Sequence, residues 1–275
     1  MLISVVTPNF NMASYLGPTI ESVLRNLVPG DEYFVIDGGS RDDSVEVIRK
    51  YEDRITGWIS ERDEGYADAI AKGFDRATGD ILCWINAGDL FLDGALEAAR
   101  TQMTDNRDLI FGDDFYIDEQ SRVLAFSRGW VPNLKLAMLY GGWTPLQDAC
   151  FWRRSLYQRI GGLDRQLRHA ADYDLFLRMA LAGRANYVPI TFSAFRRHAG
   201  QKSIAQSNEY AAERRSVRQR ALRALHKDHA HDALWQLPYR LAVSVRARLG
   251  LRIWRRPDLA GTEIADLPSR SYWPV

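Results

Sequence analysis

Apolar and polar residues follow one another along the first half of the chain in blocks that predict strands and helices in turn. Short apolar runs rich in β-formers predict strands at residues 3–7, 33–36, 57–60 and 81–85. Apolar residues at helical spacing predict the intervening helices, at residues 19–26, 45–51 and 66–77. This alternation predicts an α/β fold in which helices cover both faces of a mostly parallel sheet.

The second half is less regular and predicts strands at residues 109–112 and 187–192 and helices at residues 173–182 and 209–229. The segment 235–254 mixes apolar residues with arginines, which indicates an amphipathic helix. Such a helix could lie in a membrane interface or pack back on the body of the protein. We therefore expect one domain at residues 1–208 and a basic helical C-terminal extension at residues 209–275.

The formal net charge of +1 conceals an uneven distribution along the 275 residues. Between Ala211 and Asp258, 12 Arg or Lys residues stand against 4 Asp or Glu residues. A basic extension on a mildly acidic body predicts an anionic partner, and we expect peripheral contact with a membrane surface. Nucleic acid is not expected as a partner, because the body shows no interleaved aromatic and basic residues.

The two cysteines and the N-terminus bear on where the protein works. Cys83 and Cys150 lie inside apolar segments, which predicts buried thiols in a reducing compartment rather than a disulfide or zinc scaffold. We see neither a basic N-terminal signal region nor an apolar run of about 18 residues that could span a membrane. These features favour a cytoplasmic protein, peripheral at the inner face of the cell membrane.

Polar residues follow two of the predicted strands at the edge where open α/β sheets bind ligands. Asn86-Ala-Gly-Asp89 follows the fourth strand and is typical of either a turn or a ligand site. Asp37-Gly-Gly-Ser40 follows the second strand, where the glycines allow close approach and the next helix offers N–H groups to an anion. Neither a GxGxxG fingerprint nor a P-loop is present, which disfavours nicotinamide, flavin or P-loop chemistry.

Two further sites carry titratable side chains. Asp172 and Asp174 stand at the predicted start of a helix, where one can cap while the other projects into a cleft. His198 follows the last predicted strand among glycine, serine and cationic residues, a setting that suits a metal, a phosphate or a structural role.

In this order, these motifs give the chain a specific resemblance to family 2 glycosyltransferases of the polysaccharide and lipopolysaccharide type, which have the GT-A fold. The resemblance extends over residues 3–203 and rests on Val5-Val-Thr-Pro-Asn-Phe-Asn11, Ile36-Asp-Gly-Gly-Ser40, Asp63-Glu-Gly65, Ala77-Thr-Gly-Asp80, Asn86-Ala-Gly-Asp89, Phe151-Trp-Arg-Arg154, Gly161-Gly-Leu-Asp164, Ala171-Asp-Tyr-Asp-Leu175 and Arg196-Arg-His198. It implies a Rossmann-like nucleotide-binding half joined to an acceptor half.

The resemblance also implies the reaction, which is inverting transfer of a sugar from a nucleoside diphosphate, commonly UDP, to a glycan or lipid-linked acceptor. It assigns nucleotide-sugar binding to Thr7, Pro8, Asn9, Asp37, Gly38, Ser40, Asp68, Lys72 and Asn86. Asp89 matches the metal-binding end of the family's DxD-type motif, and His198 matches a histidine that joins the metal, either Mg²⁺ or Mn²⁺. Asp172 matches the catalytic base.

Four positions depart from the family pattern, and two further positions lie outside its motifs. Asn86 and Gly88 stand where the family often has acids, Ala171 replaces a common Glu, and Ala71 replaces an Asn. On the acceptor side we expect Trp143 to stack on a sugar ring, unless it packs in the core, and Gln147 to bond sugar hydroxyls. The alternatives are a non-catalytic sugar-nucleotide-binding protein and a nucleotidyltransferase. The latter is disfavoured because no basic glycine-rich loop follows the first strand.

Overall fold

The computed structural model describes residues 1–198, 207–228, 253–254 and 259–266 of the chain. The N-terminal half alternates strands and helices as the apolar pattern predicts: β1 (Ile3–Asn9), α1 (Ala13–Leu24), β2 (Glu32–Asp37), α2 (Ser44–Arg49), β3 (Gly57–Ser60), α3 (Tyr66–Phe74) and β4 (Ile81–Trp84). The remainder contains β5 (Leu90–Phe91), α4 (Ala95–Gln102), β6 (Leu109–Ile117), β7 (Val123–Ser127), α5 (Leu134–Gly141), β8 (Cys150–Arg153), α6 (Arg154–Arg159), α7 (Ala171–Ala182), β9 (Ala185–Arg196), α8 (Ser207–Asp228) and β10 (Ile253–Trp254).

The strands form one mixed sheet in the order β10-β7-β6-β8-β4-β1-β2-β3, and β9 pairs with β5 and β6. Strands β1 to β4 pair in parallel because helices return the chain between them. The connection from β6 to β7 is too short for such a crossover, and these strands pair antiparallel. The α/β fold is therefore confirmed, with the parallel pairing concentrated in the N-terminal half.

The sheet is buried on both faces, as the apolar strands predicted. Neighbouring residues of one strand enter opposite cores: Val5 and Cys83 pack towards α1 and α4, whereas Val6 and Trp84 pack towards α3 and α7. Cys83 and Cys150 are both buried free thiols. Aromatic side chains fill the second core, in which Trp84 stacks on Phe176 with ring centroids 5.8 Å apart.

Several elements extend beyond their predicted limits. Strand β1 includes Pro8 and Asn9, which we expected in the following loop. Strand β6 was predicted to end at residue 112 but continues to Ile117, so Asp113 and Asp114 lie within the strand and are buried. Pairing with β7 on one side and β9 on the other satisfies the backbone there, and it overrides the weak strand tendency of aspartate.

The C-terminal helix α8 packs on the body through an apolar side that includes Val217, which is 3% exposed. The boundary between a domain at residues 1–208 and an extension at residues 209–275 stays a prediction. The predicted amphipathic helix at 235–254 lies outside the described residues except for its end, and there Ile253 and Trp254 form β10 against β7 instead. Across the described ranges, no helix is both long and apolar enough to cross a membrane.

Candidate active site

A cleft of about 740 Å³ opens at the carboxyl ends of β1, β2 and β4. The starts of α3 and α7, the end of β9 and the first turn of α8 complete its described walls. Most of the site residues predicted from the sequence line this cleft: Pro8, Asn9, Gly38, Asn86, Asp89, Gln147, Asp172 and His198. The other predicted site residues lie outside the described lining: Thr7, Asp37, Ser40, Asp68, Lys72 and Trp143.

Asp37 is buried behind the cleft wall at the end of β2. Its carboxylate accepts hydrogen bonds from Asn9 Nδ2 (2.7 Å), Ser60 Oγ (2.6 Å) and the Ser40 backbone N–H (3.0 Å). Burial by itself raises the pKa of Asp37, but the hydrogen bonds from Ser40, Ser60 and Asn9 outweigh it and hold the pKa below its usual value. The ionised carboxylate therefore ties the ends of β1, β2 and β3 together and orients Asn9.

Gly38 forms part of the cleft floor where the chain leaves β2. Its N–H donates to the Asn9 carbonyl oxygen at 2.9 Å. A Cβ atom at Gly38 would collide with the carboxylate of Asp63, which also lines the cleft. A side chain larger than that of glycine would therefore require Asp63 to move away.

Asp68 and Lys72 brace that loop from α3. Lys72 Nζ lies 2.8 Å from a Glu61 carboxylate oxygen and 3.3 Å from Asp68 Oδ2. Asp68 Oδ1 lies 3.1 Å from Arg165 Nη1. Both predicted binding residues thus already have protein partners, and their contact with a nucleotide stays a prediction.

Asp89 occupies the turn after β4 and is 4% exposed. Its Oδ1 accepts from the Arg196 backbone N–H (3.0 Å) and its Oδ2 from Asn86 Nδ2 (3.3 Å). Asn86 Nδ2 also donates to Gln147 Oε1 (2.8 Å), and Gln147 Nε2 donates to the Trp84 carbonyl oxygen (2.7 Å). A continuous polar network therefore joins the metal-site candidate to the predicted acceptor side.

The guanidinium of Arg196 holds this turn in place. Arg196 is 2% exposed, and its Nε donates to the Gly88 carbonyl oxygen at 2.8 Å. Its Nη1 donates to the carbonyl oxygens of Asp118 (2.8 Å) and Glu119 (3.0 Å). Sequence reasoning missed this role, because an arginine in a basic segment is normally exposed.

Asp89 is also one of three buried carboxyls that cluster beneath the cleft. Burial, then the charge of Asp148, raises the pKa of Asp89 well above its usual value. Burial and the charges of Asp148 and Asp89 likewise raise the pKa of Asp114. The cluster therefore disfavours full ionisation, and a cation at the cleft would relieve that repulsion.

His198 lies at the end of β9, beside Tyr15, with ring centroids 5.5 Å apart. Burial lowers the pKa of the imidazole, which favours the neutral form that ligates metals. The Asp89 carboxylate is of the kind that Mg²⁺ and Mn²⁺ prefer, and His198 offers an imidazole nitrogen; their joint binding of a metal stays a prediction. Within the described ranges, no group of three or more His, Cys, Asp or Glu is placed to hold a metal, so a cation would need water or a diphosphate as further ligands.

Asp172 is the second residue of α7, and its half-buried carboxyl lines the same cleft. Burial raises its pKa to about 6, although the Tyr173 N–H and the charge of Arg214 oppose the shift. A carboxyl with a pKa near the working pH suits general-base catalysis. Asp174 instead forms an ion pair with Arg178 at 2.6 Å. Asp172 therefore faces the cleft as expected, whereas Asp174 forms this ion pair in place of the expected helix cap.

The remaining predicted residues have structural contacts. Trp143 packs against Phe111, with ring centroids 6.0 Å apart, and lies half-buried against the core. This contact supports the packing interpretation of Trp143, and its acceptor role stays a prediction. The buried Thr7 hydroxyl shares a hydrogen bond of 2.9 Å with the Tyr33 hydroxyl.

Sequence reasoning missed cleft residues outside the predicted strand ends. Tyr66 begins α3, and its hydroxyl accepts from the Ala171 N–H (2.8 Å) and donates to the His169 carbonyl oxygen (2.9 Å). Tyr210 reaches the cleft from α8. The motif around Gly65 could have drawn attention to Tyr66, whereas Tyr210 lies in a helix whose pattern indicated only charge.

Comparison with known proteins identifies the family. The sequence profile of Glycosyl transferase family 2 matches residues 4–161. An uncharacterized glycosyltransferase of Mycobacterium tuberculosis is 32% identical over 185 residues, which cover 65% of this chain and 69% of that protein. A PGL/p-HBAD biosynthesis glycosyltransferase of Mycobacterium bovis is 26% identical over 183 residues, which cover 64% of this chain and 69% of that protein.

Solved structures show the same fold. S. aureus TarS 1-349 in complex with UDP-GlcNAc superposes with a TM-score of 0.60 at 17% identity, covering 73% of this chain and 60% of that one. The match covers 37% of a longer TarS chain. The mannosyltransferase PcManGT of Pyrobaculum calidifontis, in complex with GDP-Man and Mn²⁺, gives 0.60 at 16% identity over 90% of this chain and 75% of that one. Since the family profile spans more than half of its sequence, the chain belongs to glycosyl transferase family 2: it is a glycosyltransferase with the GT-A fold.

Proposed function

We propose that the protein is an inverting glycosyltransferase that moves a sugar from a UDP donor to a hydroxyl group of a glycan or lipid-linked acceptor. The observation that carries this proposal is the Asp172 carboxyl, whose pKa is raised to about 6, in the same cleft as Asn9, Gly38 and Asp89. The cleft thus combines a base with a nucleotide-sized groove at the strand ends. Neighbours of the same fold bind UDP-GlcNAc and GDP-Man, which supports a nucleoside diphosphate donor.

In this proposal the donor lies along the strand ends, with its uridine against Pro8, Asn9 and Gly38. Asp37 orients Asn9 from behind, as its hydrogen bonds allow. The diphosphate lies towards Asp89 and His198. Asp89 and His198 would hold a Mg²⁺ or Mn²⁺ ion there, and the ion would supply positive charge that stabilises the departing diphosphate.

Asp172 acts as the general base. Its carboxylate takes the proton of the acceptor hydroxyl while that oxygen attacks the anomeric carbon of the donor sugar. The bond from the anomeric carbon to the diphosphate oxygen breaks, and the nucleoside diphosphate leaves with the electron pair. Attack from the face opposite the diphosphate inverts the anomeric configuration, and Asp172 then returns its proton to solvent.

We place this reaction in cell-surface polysaccharide synthesis, at the cytoplasmic face of the membrane. A relative named as a biosynthesis glycosyltransferase supports a biosynthetic role. Arg215 and Arg223 are exposed on α8, and they support peripheral contact with anionic lipid. Binding to phosphatidylglycerol vesicles should weaken as salt rises and fall in the double variant Arg215→Glu/Arg223→Glu. Equal binding to neutral phosphatidylcholine vesicles would contradict this placement.

The donor and the base are tested by separate measurements. Calorimetry with UDP or GDP, with and without Mn²⁺, should show UDP binding that needs the metal and weakens in Asp89→Asn. Asp172→Asn should bind UDP within about twofold of the wild type and lose about 10²–10⁴-fold in turnover, the usual contribution of a general base. Wild-type turnover in Asp172→Asn would refute the assignment of the base. A chain that binds UDP but transfers no sugar to any acceptor would favour the non-catalytic alternative.

A further inference from the structure

The segment that leads into α7 is held by a side chain of another helix. Residue Ala170, which precedes α7, has only a methyl side chain and cannot accept a hydrogen bond there. The Glu213 carboxylate of α8 accepts instead from the backbone N–H groups of Arg168 (3.0 Å), His169 (2.7 Å) and Ala170 (2.6 Å). One charged side chain thus satisfies three backbone donors immediately before the helix that carries Asp172.

The same segment is held from its opposite side by α3. The Tyr66 hydroxyl accepts from the Ala171 N–H at 2.8 Å and donates to the His169 carbonyl oxygen at 2.9 Å. Four consecutive backbone N–H groups, at residues 168–171, are therefore bound by side chains of two other elements. Asp172 follows directly, so these contacts set the position of its backbone.

Helix α8 is itself anchored close to the cleft. Val217 is buried in the core shared with α5 and α7. Arg214 Nη1 donates to the Gly142 carbonyl oxygen at 2.7 Å, and its guanidinium lies 5.7 Å from the ring centroid of Tyr210. Tyr210 lines the cleft about one turn before Glu213. The apolar and polar contacts of α8 thereby place Glu213 against the start of α7.

We infer that Glu213 is a positioning residue for the catalytic carboxylate, and that the C-terminal helix α8 is an integral part of the catalytic centre. The inference rests on the proposed role of Asp172 as the base. Without Glu213, the backbone N–H groups of residues 168–170 lose the one charged acceptor that all three share among the described residues. A displacement of the base by about 1 Å is enough to cost about 100-fold in rate.

The charge of Glu213 also acts on Asp172. Burial raises the pKa of Glu213, but the hydrogen bonds from Ala170, Arg168 and His169 outweigh burial and keep it ionised. Its negative charge contributes to the raised pKa of Asp172, whereas Arg214 opposes it. The titratable and charged groups that face Asp172 are Tyr66 from α3, Cys150 from β8, Tyr173 from α7, Glu213, Arg214 and Tyr210 from α8, and Arg168 and His169 at the cleft rim. Removing the Glu213 charge should lower the Asp172 pKa.

The first test compares Glu213→Ala and Glu213→Gln with Glu209→Gln, which removes the same charge from an exposed position on the same helix. We expect kcat to fall about 10- to 100-fold in Glu213→Ala and less in Glu213→Gln, which keeps one carbonyl acceptor. UDP affinity should stay within about twofold, and the acidic limb of the Glu213→Gln pH–rate profile should move to lower pH. A Glu213→Gln profile and kcat equal to those of Glu209→Gln would overturn the inference.

The second test needs no turnover, and it separates a failure of this inference from a failure of the proposed reaction. Amide hydrogen exchange should be faster in Glu213→Ala at residues 168–174, by tenfold or more, and unchanged in α1 and α4. The ¹³C titration of the Asp172 carboxyl should shift to lower pH in Glu213→Gln. Unchanged exchange at 168–174 would refute the positioning role even in an active enzyme. An active Asp172→Asn would instead refute the proposed base and leave the exchange result standing.

Discussion

Replacing the Asp172 carboxyl should raise the free energy of unfolding of the protein, by an amount that depends on pH. The pKa of Asp172 is raised from 3.8 to about 6, a shift of about two units. At about 1.4 kcal/mol per unit, ionising this carboxyl costs the folded state about 3 kcal/mol at most. Because the side chain is half-buried, solvent screening reduces the expected figure to about 1–2 kcal/mol. Asp172→Asn removes this cost and keeps an oxygen that can accept from the Tyr173 N–H.

The sign of the pH dependence follows from the direction of the shift. A carboxyl with a raised folded pKa keeps its proton in the folded state while the unfolded chain loses it. The wild type therefore loses stability as pH rises from about 4 to about 6, and the loss is complete above that range. The advantage of Asp172→Asn should be about a third of its full size at pH 4.5 and reach its full size at pH 8.

Denaturant unfolding of both proteins at pH 4.5 and pH 8 measures this difference. Asp53→Asn, at an exposed carboxylate, controls for the change in net charge. An advantage of Asp172→Asn that is equal at the two pH values, or larger at pH 4.5, would refute the reasoning. In that case the carboxyl would not carry a raised pKa in the folded state.

Two further substitutions test the geometry of the cleft. Tyr66→Phe removes the hydroxyl that forms hydrogen bonds with Ala171 and His169. We therefore expect kcat to fall about tenfold, while the UDP affinity measured by calorimetry stays unchanged. Weaker UDP binding with unchanged kcat would contradict this role. Gly38→Ala places a methyl group against the Asp63 carboxylate. The UDP dissociation constant should rise about tenfold, with little change in far-UV circular dichroism. Wild-type affinity would show that the 61–65 loop moves freely.

The alternating strands and helices of the N-terminal half were predictable because each one follows from the spacing of apolar residues within its own segment. Strand β3 begins and ends as predicted, and β1, β2 and β4 differ only at their ends. Apolar runs identify strands buried on both faces, and the polar residue after each run marks the ligand-binding edge. Asn9, Asp89 and Asp172 lie far apart in sequence, and the resemblance to family 2 glycosyltransferases predicted them at one site. They line one cleft.

Predictions that depended on pairing or burial were less complete. Asp113 and Asp114 look like residues that end a strand, yet partner strands on both sides of β6 extend the pairing through them. Trp143 was assigned to the acceptor or to the core from its residue type alone, and only its contact with Phe111 favours packing. A local sequence pattern does not indicate which strand or aromatic ring will lie opposite a given residue in the folded protein.

The amino-acid sequence by itself determined the order of the elements in the N-terminal half, the two-sided burial of the sheet there and the edge at which the polar residues gather. These follow from periodicity and from the chemistry of residues at strand ends. Only the tertiary structure decided that Arg196 holds the turn bearing Asp89, and that Glu213 holds the segment before Asp172. Both contacts join residues that are distant along the chain, and hydrogen bonds of that kind exist only after packing has brought the two backbones together.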